Sequence, residues 1–347
     1  MSTLETNNIG KYSGNNVSID DPLKLKTYTT TERDALSSPA AGDTVYNSTT
    51  GTIDFYNGSA WNATSDNTFQ FAVEYLVIAG GGSGGYSYGS NVSRGSAGGG
   101  AGGYRTNYAS ETSGGGGSNE SDFTATGGTN YSVTIGAGGA AKSSGGVGNA
   151  GTNSVFDTII STGGGYGGMS NQDGGDGGSG GGAGYDSSAT NGTANQGYAG
   201  GYGWTSGSNF GGGGGGGAGG AGTNAASNNP GDGGVGVQSS ITGVATYRGG
   251  GGAGAQSGFT NYTHNGSGGN GGGGSPTTSG TVNTGGGGGG GKSSASGAGG
   301  SGVVILRYPD TKTISNPGGG LTISSETSAG GYKYVEITAG TGNVSWS

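Results

Sequence analysis

Uninterrupted glycine limits this chain more than any other feature: seven glycines stand in a row at 211–217 and seven more at 285–291. Glycine costs about 1 kcal/mol per helix-interior position relative to alanine, so such runs cannot be helical. They also ignore the strict three-residue period of collagen, and only six prolines are present. Ordering 96 glycines costs on the order of 100 kcal/mol of backbone entropy, with no side chain to bury in return. Hydrophobic residues are 28% and charged residues 9% of the chain, too few for a large conventional core or a charged helical surface. One arrangement offsets the cost. A polyproline-II-like helix, with three residues per turn and a rise of about 3.1 Å, points every N–H and C=O outward. Without Cβ atoms, neighbouring helices approach closely enough to pair those groups with one another.

Twelve basic against twenty acidic residues give a net charge of −8, which repels nucleic acid. No cysteine is present, so the fold depends on neither disulfides nor thiolate metal sites. The first residues, MSTLETNNIGKYSG, lack a basic region followed by an apolar stretch, and no apolar run approaches the ~20 residues of a membrane span. A soluble protein that does not insert into membranes is expected.

Composition divides the chain into four parts. Residues 1–21 are polar and read as extended. Over 22–66 the spacing of Thr31 and Asp34 predicts a short helix through Ala35 and Leu36, stopped by Pro39. A hairpin of Thr44-Val45-Tyr46 and Thr52 through Tyr56 follows, with Asn57-Gly58 turning into a strand at Trp61. Tyr46, Phe55 and Trp61 are its candidate packing residues. Residues 67–309 hold nearly all the glycine, yet strand-like runs persist at 72–79, 131–135, 155–160 and 303–308. A flexible linker has no use for these segments, so the expected fold class is mainly β with negligible helix: a β-sandwich-like scaffold carrying glycine-rich polyproline-II-like helices and loops. Residues 310–347 add short strands at 321–324, 332–337 and 344–346.

Few residues suggest chemistry. Gly286 to Ser293 satisfies the phosphate-loop pattern literally, but lacks the preceding strand and following helix that the motif needs. Asp173-Gly174-Gly175-Asp176 resembles a calcium-binding glycine–aspartate repeat without the nine-residue recurrence, and reads as a solvated turn. His264 is the single histidine, and the carboxylates, Glu74 and Asp157 among them, form no recognisable catalytic pair. Neither catalysis, a cofactor nor a metal is expected. The aromatics say more. Tyr86, Tyr88, Tyr104, Tyr108, Tyr185, Tyr198, Tyr202, Trp204, Phe210 and Tyr262 stand at tract ends or in connecting loops. Such rings amid Ser, Asn and Gly suit an adaptable binding surface, and equally suit capping of the glycine bundle. Tyr198, Tyr202, Trp204, Phe210, Tyr262 and His264 form the candidate contact patch.

The runs VEYLVIAGGGSGG, GGGAGGYR, TNYSVTIGAGGA, GTNSVFDTIISTGGG and GGSGVVILRYP together resemble the glycine-rich domain of phage tail fibres and some bacterial surface proteins. LKLKTYTTTERDALSSPAAGDTVYNSTTGTIDFYNGSAWNA is similar to a short module recurrent in phage tail appendages. These resemblances imply a virion tail fibre or adhesin on the particle exterior, made in the host cytoplasm, with packed polyglycine helices carrying tip loops. They further imply attachment to other virion proteins through the N-terminal region, at Leu4, Ile9, Tyr28 and Leu36. The implied distal partner is a host surface glycan or outer-membrane protein, and the implied state a homo-oligomer, a trimer first. The alternatives are a non-adhesive head decoration or tail spacer, and an ice- or surface-binding protein.

Overall fold

A capping box starts the first helix two residues earlier than the Thr31–Asp34 spacing suggests. The structure, a computed structural model, describes residues 25–63, 70–87, 95–188, 190–206, 209–226, 229–257, 265–292 and 294–347, and the chain forms two compact units, 1–69 and 70–347. In the first, the Thr29 hydroxyl accepts the Glu32 N–H (3.3 Å) while the Glu32 carboxylate accepts the Thr29 N–H (2.8 Å), opening α1 (Thr30–Asp34). Thr29 and Glu32 supply both halves of the motif; Thr31 supplies neither. The sheet runs β1 (Thr27–Tyr28), β2 (Thr44–Asn47), β3 (Thr52–Tyr56), β4 (Trp61–Ala63), with β1 parallel to β2 and the rest antiparallel. The expected hairpin is in place, and the Asn57 side-chain oxygen accepts the N–H groups of Ser59 and Ala60 at the next turn.

The buried face of this sheet is polar. Val45 shares it with Asn47, Thr52 and Asp54, while Tyr46 and Phe55 are each 39% exposed. Asp54 is the hub, accepting bonds from Arg33 (2.5 Å), Thr52 (2.6 Å) and Asn47 (2.9 Å).

In the second unit an eleven-stranded sheet curls into a nearly closed, barrel-like sandwich. Its main path joins β11 (Ile159–Ser161), β10 (Ser154–Phe156), β9 (Tyr131–Thr134), β22 (Tyr332–Trp346), β18 (Val303–Pro309), β5 (Gln70–Ile78) and β7 (Tyr104–Thr106). β8 (Phe123–Thr126) pairs with β5, and β19 (Ile314–Ser315), β20 (Leu321–Ile323) and β21 (Thr327–Ala329) pair with β22. Trp346 fills the interior, its ring 5.7–5.8 Å from those of Phe71, Tyr131 and Tyr308.

Two sequence expectations fail here. The run 155–160 is not one strand but a hairpin, because Asp157 takes φ +52° in a two-residue turn and folds β11 back on β10. The separate strands expected at 332–337 and 344–346 merge into the 15-residue β22. Gly340, at φ +101°, supplies a left-handed residue within it that lets one strand serve β18 and β20 first and β9 after. The C-terminal segment thus lies inside the sheet rather than beside it.

The glycine tracts are continuations of these strands. Residues 79–86 leave β5, and 97–103 return into β7. Donation from the first tract rotates with a period of three: Ala79, Gly82 and Gly85 donate to Gly103, Gly100 and Ala97; Gly80, Ser83 and Tyr86 to Thr152, Asn149 and Gly146; Gly81 and Gly84 to Gly300 and Gly297. Its carbonyls meanwhile accept from three further tracts, through Gly164, Gly139 and Gly288. A threefold helix with six neighbours results, as the outward-pointing groups of polyproline II require. The tract at 97–103 repeats the pattern, donating to 162–168, 213–216 and 285–288. A Cβ on Gly82 would fall closer than 3.0 Å to the carbonyl of Gly165, so glycine here is a packing requirement.

Candidate functional site

Tracts and turns sort the aromatics into two levels. At the far end of the bundle, where Gly85 donates to Ala97 and the chain is farthest from the sheet, β6 (Tyr86–Ser87) runs parallel to β17 (Gly291–Lys292). Beside them β12 (Trp204–Ser206), β13 (Asn209–Gly211) and β16 (Gln256–Ser257) make a small antiparallel sheet. Trp204, the first residue of β12, and Tyr202, two residues before it, are 38% and 52% exposed.

The backbone under these rings is fixed. The Tyr202 N–H donates to the Asn224 side chain (2.9 Å) and its carbonyl accepts from Ala225 (2.9 Å). A Cβ on Gly203 would collide with the backbone of Gly184 and Tyr185. Phe210 is half-buried and meets Tyr185 edge-on at 4.9 Å, bracing the platform from below. Tyr185, absent from the candidate patch, therefore belongs to it; nothing in its sequence neighbourhood distinguished it from the other tract-end tyrosines.

Tyr198 lies elsewhere. Its N–H donates to Gly217, next to the sheet-proximal Ala218, and its hydroxyl lies over Gly116. Six residues at about 3.1 Å each put roughly 19 Å between it and Trp204, so one ligand contact does not include both. Tyr262 and His264 lie outside the described residues, as do Leu4 and Ile9. Of the remaining N-terminal candidates, Tyr28 is half-buried in β1 with the Lys26 ammonium 5.0 Å from its ring, and Leu36 lines a groove of about 460 Å³ with Arg33, Pro39, Tyr56 and Trp61.

The residues that looked chemical have structural roles. Asp173 and Asp176 accept the N–H groups of Ser188 (2.8 Å) and Asn191 (2.7 Å). Donors and acceptors are each three residues apart, one polyproline-II turn, so the two carboxylates stand in for carbonyls at the bundle edge. Asp232 does the same for Ser267 (2.6 Å). Residues 286–291 form a packed glycine tract rather than a phosphate loop, and Glu74 pairs with Arg307. Among the described residues no group of three acidic, histidine or cysteine side chains could hold a metal ion, and no helix is long and apolar enough to cross a membrane.

Residues 41–309 match a family described as a glycine-rich domain. The chain belongs to that family. No curated protein and no solved structure matches it significantly. The glycine-rich domain match begins within the first unit and stops at Pro309, before β22, so the strand between β9 and β18 lies outside the family match.

Proposed function

We propose that this protein is a phage virion component, a tail fibre or tail-associated adhesin, that attaches through its N-terminal region and engages the host cell surface with the bundle tip. The observation that carries the reading is the pair of exposed rings, Tyr202 and Trp204, held on a hydrogen-bonded backbone at the end of the bundle farthest from the sheet. Rings that merely capped the glycine lattice would lie over it and be buried, as Tyr86 is at 5% exposure. Exposed aromatics on a rigid backbone supply contact area at little entropic cost on binding. The resemblance of the N-terminal module to tail-appendage modules supports the particle end of the reading, and the proposed oligomer is a trimer.

Labelling purified particles with an antibody to the protein, followed by electron microscopy, tests the location; signal on the capsid shell overturns the fibre reading. Replacing Tyr202 and Trp204 together by alanine should reduce particle adsorption at least about tenfold, the effect of losing two aromatic contacts of roughly 1 kcal/mol each. Unchanged adsorption with the fold intact overturns the proposed contact site.

A further inference from the structure

The main sheet path has two ends, β11 and β7, and a bundle turn brings them together. The Gln196 carbonyl accepts the Tyr104 N–H on β7 (3.0 Å), while its side-chain oxygen accepts the Thr162 N–H just past β11 (2.8 Å). One step farther from the bundle only side chains cross: Arg105 Nη1 (3.2 Å) and Gln196 Nε2 (3.5 Å) both donate to the Ile160 carbonyl. Beyond Arg105 the seam widens into a cleft of about 730 Å³ between residues 118–123 and the β10–β11 turn.

β11 borders this cleft through Ile159. In a hairpin with a two-residue turn, Phe156 and Ile159 exchange the first ladder bonds, so the backbone groups of Ile160 point away from β10 and into the seam. The Ile160 carbonyl is taken by Arg105 and Gln196, but its N–H has no partner among the described residues, and Ile160 is 46% exposed. The charges lining the cleft are unequally engaged. Glu120 accepts from Arg105 Nε and Nη2, the Tyr75 hydroxyl and Ser113. Asp122, exposed on the rim, makes no hydrogen bond or ion pair among the described residues.

We propose that this seam binds an extended peptide bearing a lysine or arginine, added edge-on to β11. A peptide carbonyl accepts the Ile160 N–H, and the basic side chain meets Asp122. A free N–H on a strand edge can start the pairing of a further strand, and the main-chain bond then supplies affinity while a side-chain pocket supplies selectivity. The acidic rim sets the preferred sign of charge. This site lies at the sheet, away from the aromatic tip, and its test is independent of the attachment reading.

The full-length protein is panned against a displayed library of random peptides of about twelve residues, and enriched peptides are titrated by calorimetry. Enrichment of basic sequences is expected, with affinity falling at least about tenfold in Ala194→Trp, which fills the cleft from an exposed turn, and in Asp122→Lys. Ile160→Pro removes the N–H directly; the two surface variants keep the test valid if that one misfolds. No enrichment, or affinity unchanged in both surface variants, overturns the proposal. Binding of maltoheptaose that Ala194→Trp abolishes, with no peptide bound, assigns the cleft to a saccharide and overturns it equally.

Discussion

Two kinds of residue hold this protein in shape for opposite reasons: glycines that leave no room for a Cβ, and a few buried polar groups that replace missing partners. Gly82 and Gly220 separate the first effect from glycine content. A Cβ on Gly82 meets the Gly165 carbonyl, whereas one on Gly220 meets the Val235 side chain at 3.1 Å and backbone only at an ordinary 3.8 Å. Gly82→Ala should therefore cost about 3 kcal/mol or more, and Gly220→Ala less than about 1 kcal/mol, in denaturant melts. Asp54 represents the second kind. Burial pushes its carboxyl up, but bonds from Thr52, Asn47 and Arg33 outweigh burial and hold it below its ordinary value of 3.8. A depressed folded-state value means that Asp54 contributes its full stabilisation above the unfolded value, near pH 4, and loses it as pH falls through the folded value. Asp54→Ala should cost about 3 kcal/mol at neutral pH, because it leaves the Arg33 charge and the Asn47 amide without their buried acceptor. It should also flatten the acid limb of the first unit's stability curve. An acid limb identical to wild type would assign that limb to other groups.

At the scale of elements, threefold rotation of the hydrogen bonds makes the tracts sensitive to register. Deleting one residue within 97–103 turns every later N–H by a third of a revolution toward the wrong neighbour. Loss of folding, seen as loss of protease resistance, is the expected result. Inserting three glycines at the exposed turn around Gly243, where an added Cβ meets nothing, should leave protease resistance unchanged, since no tract partner moves. The tracts at 79–86 and 97–103, each with six neighbours, should exchange their amide hydrogens slowest in the bundle. Uniform exchange across all tracts would contradict that hierarchy. Several elements were legible in advance. Alternation and β-branching marked the strands at 72–79, 131–135 and 303–308, the turn residues Asn47 to Gly51 marked the N-terminal hairpin, and Asn57-Gly58 the turn after it. The 155–160 turn was not, because a left-handed Asp157 leaves no trace in a β-branched run.

At the scale of the whole molecule, two units with different interiors should melt separately. Calorimetry at neutral pH should resolve two transitions, and acidification below about pH 4 should lower the first unit's while moving the backbone-bonded bundle less. A single transition at every pH would show that the units unfold together. The candidate site was legible only in part. Aromatics at tract ends pointed to Tyr202, Trp204 and Phe210, but equally to Tyr198, which the fold carries to the sheet-proximal end of the bundle. The sequence by itself determined the material: glycine runs that exclude helices and admit packed polyproline-II chains, and strand segments able to anchor them. Tertiary structure alone decided which tract lies beside which, which aromatics reach the tip, and that Asp173 and Asp176 serve as substitute carbonyls. The physical reason is that the bonds organising the bundle join backbone groups far apart in the chain, and a glycine, having no side chain, carries nothing in its identity that names its partner.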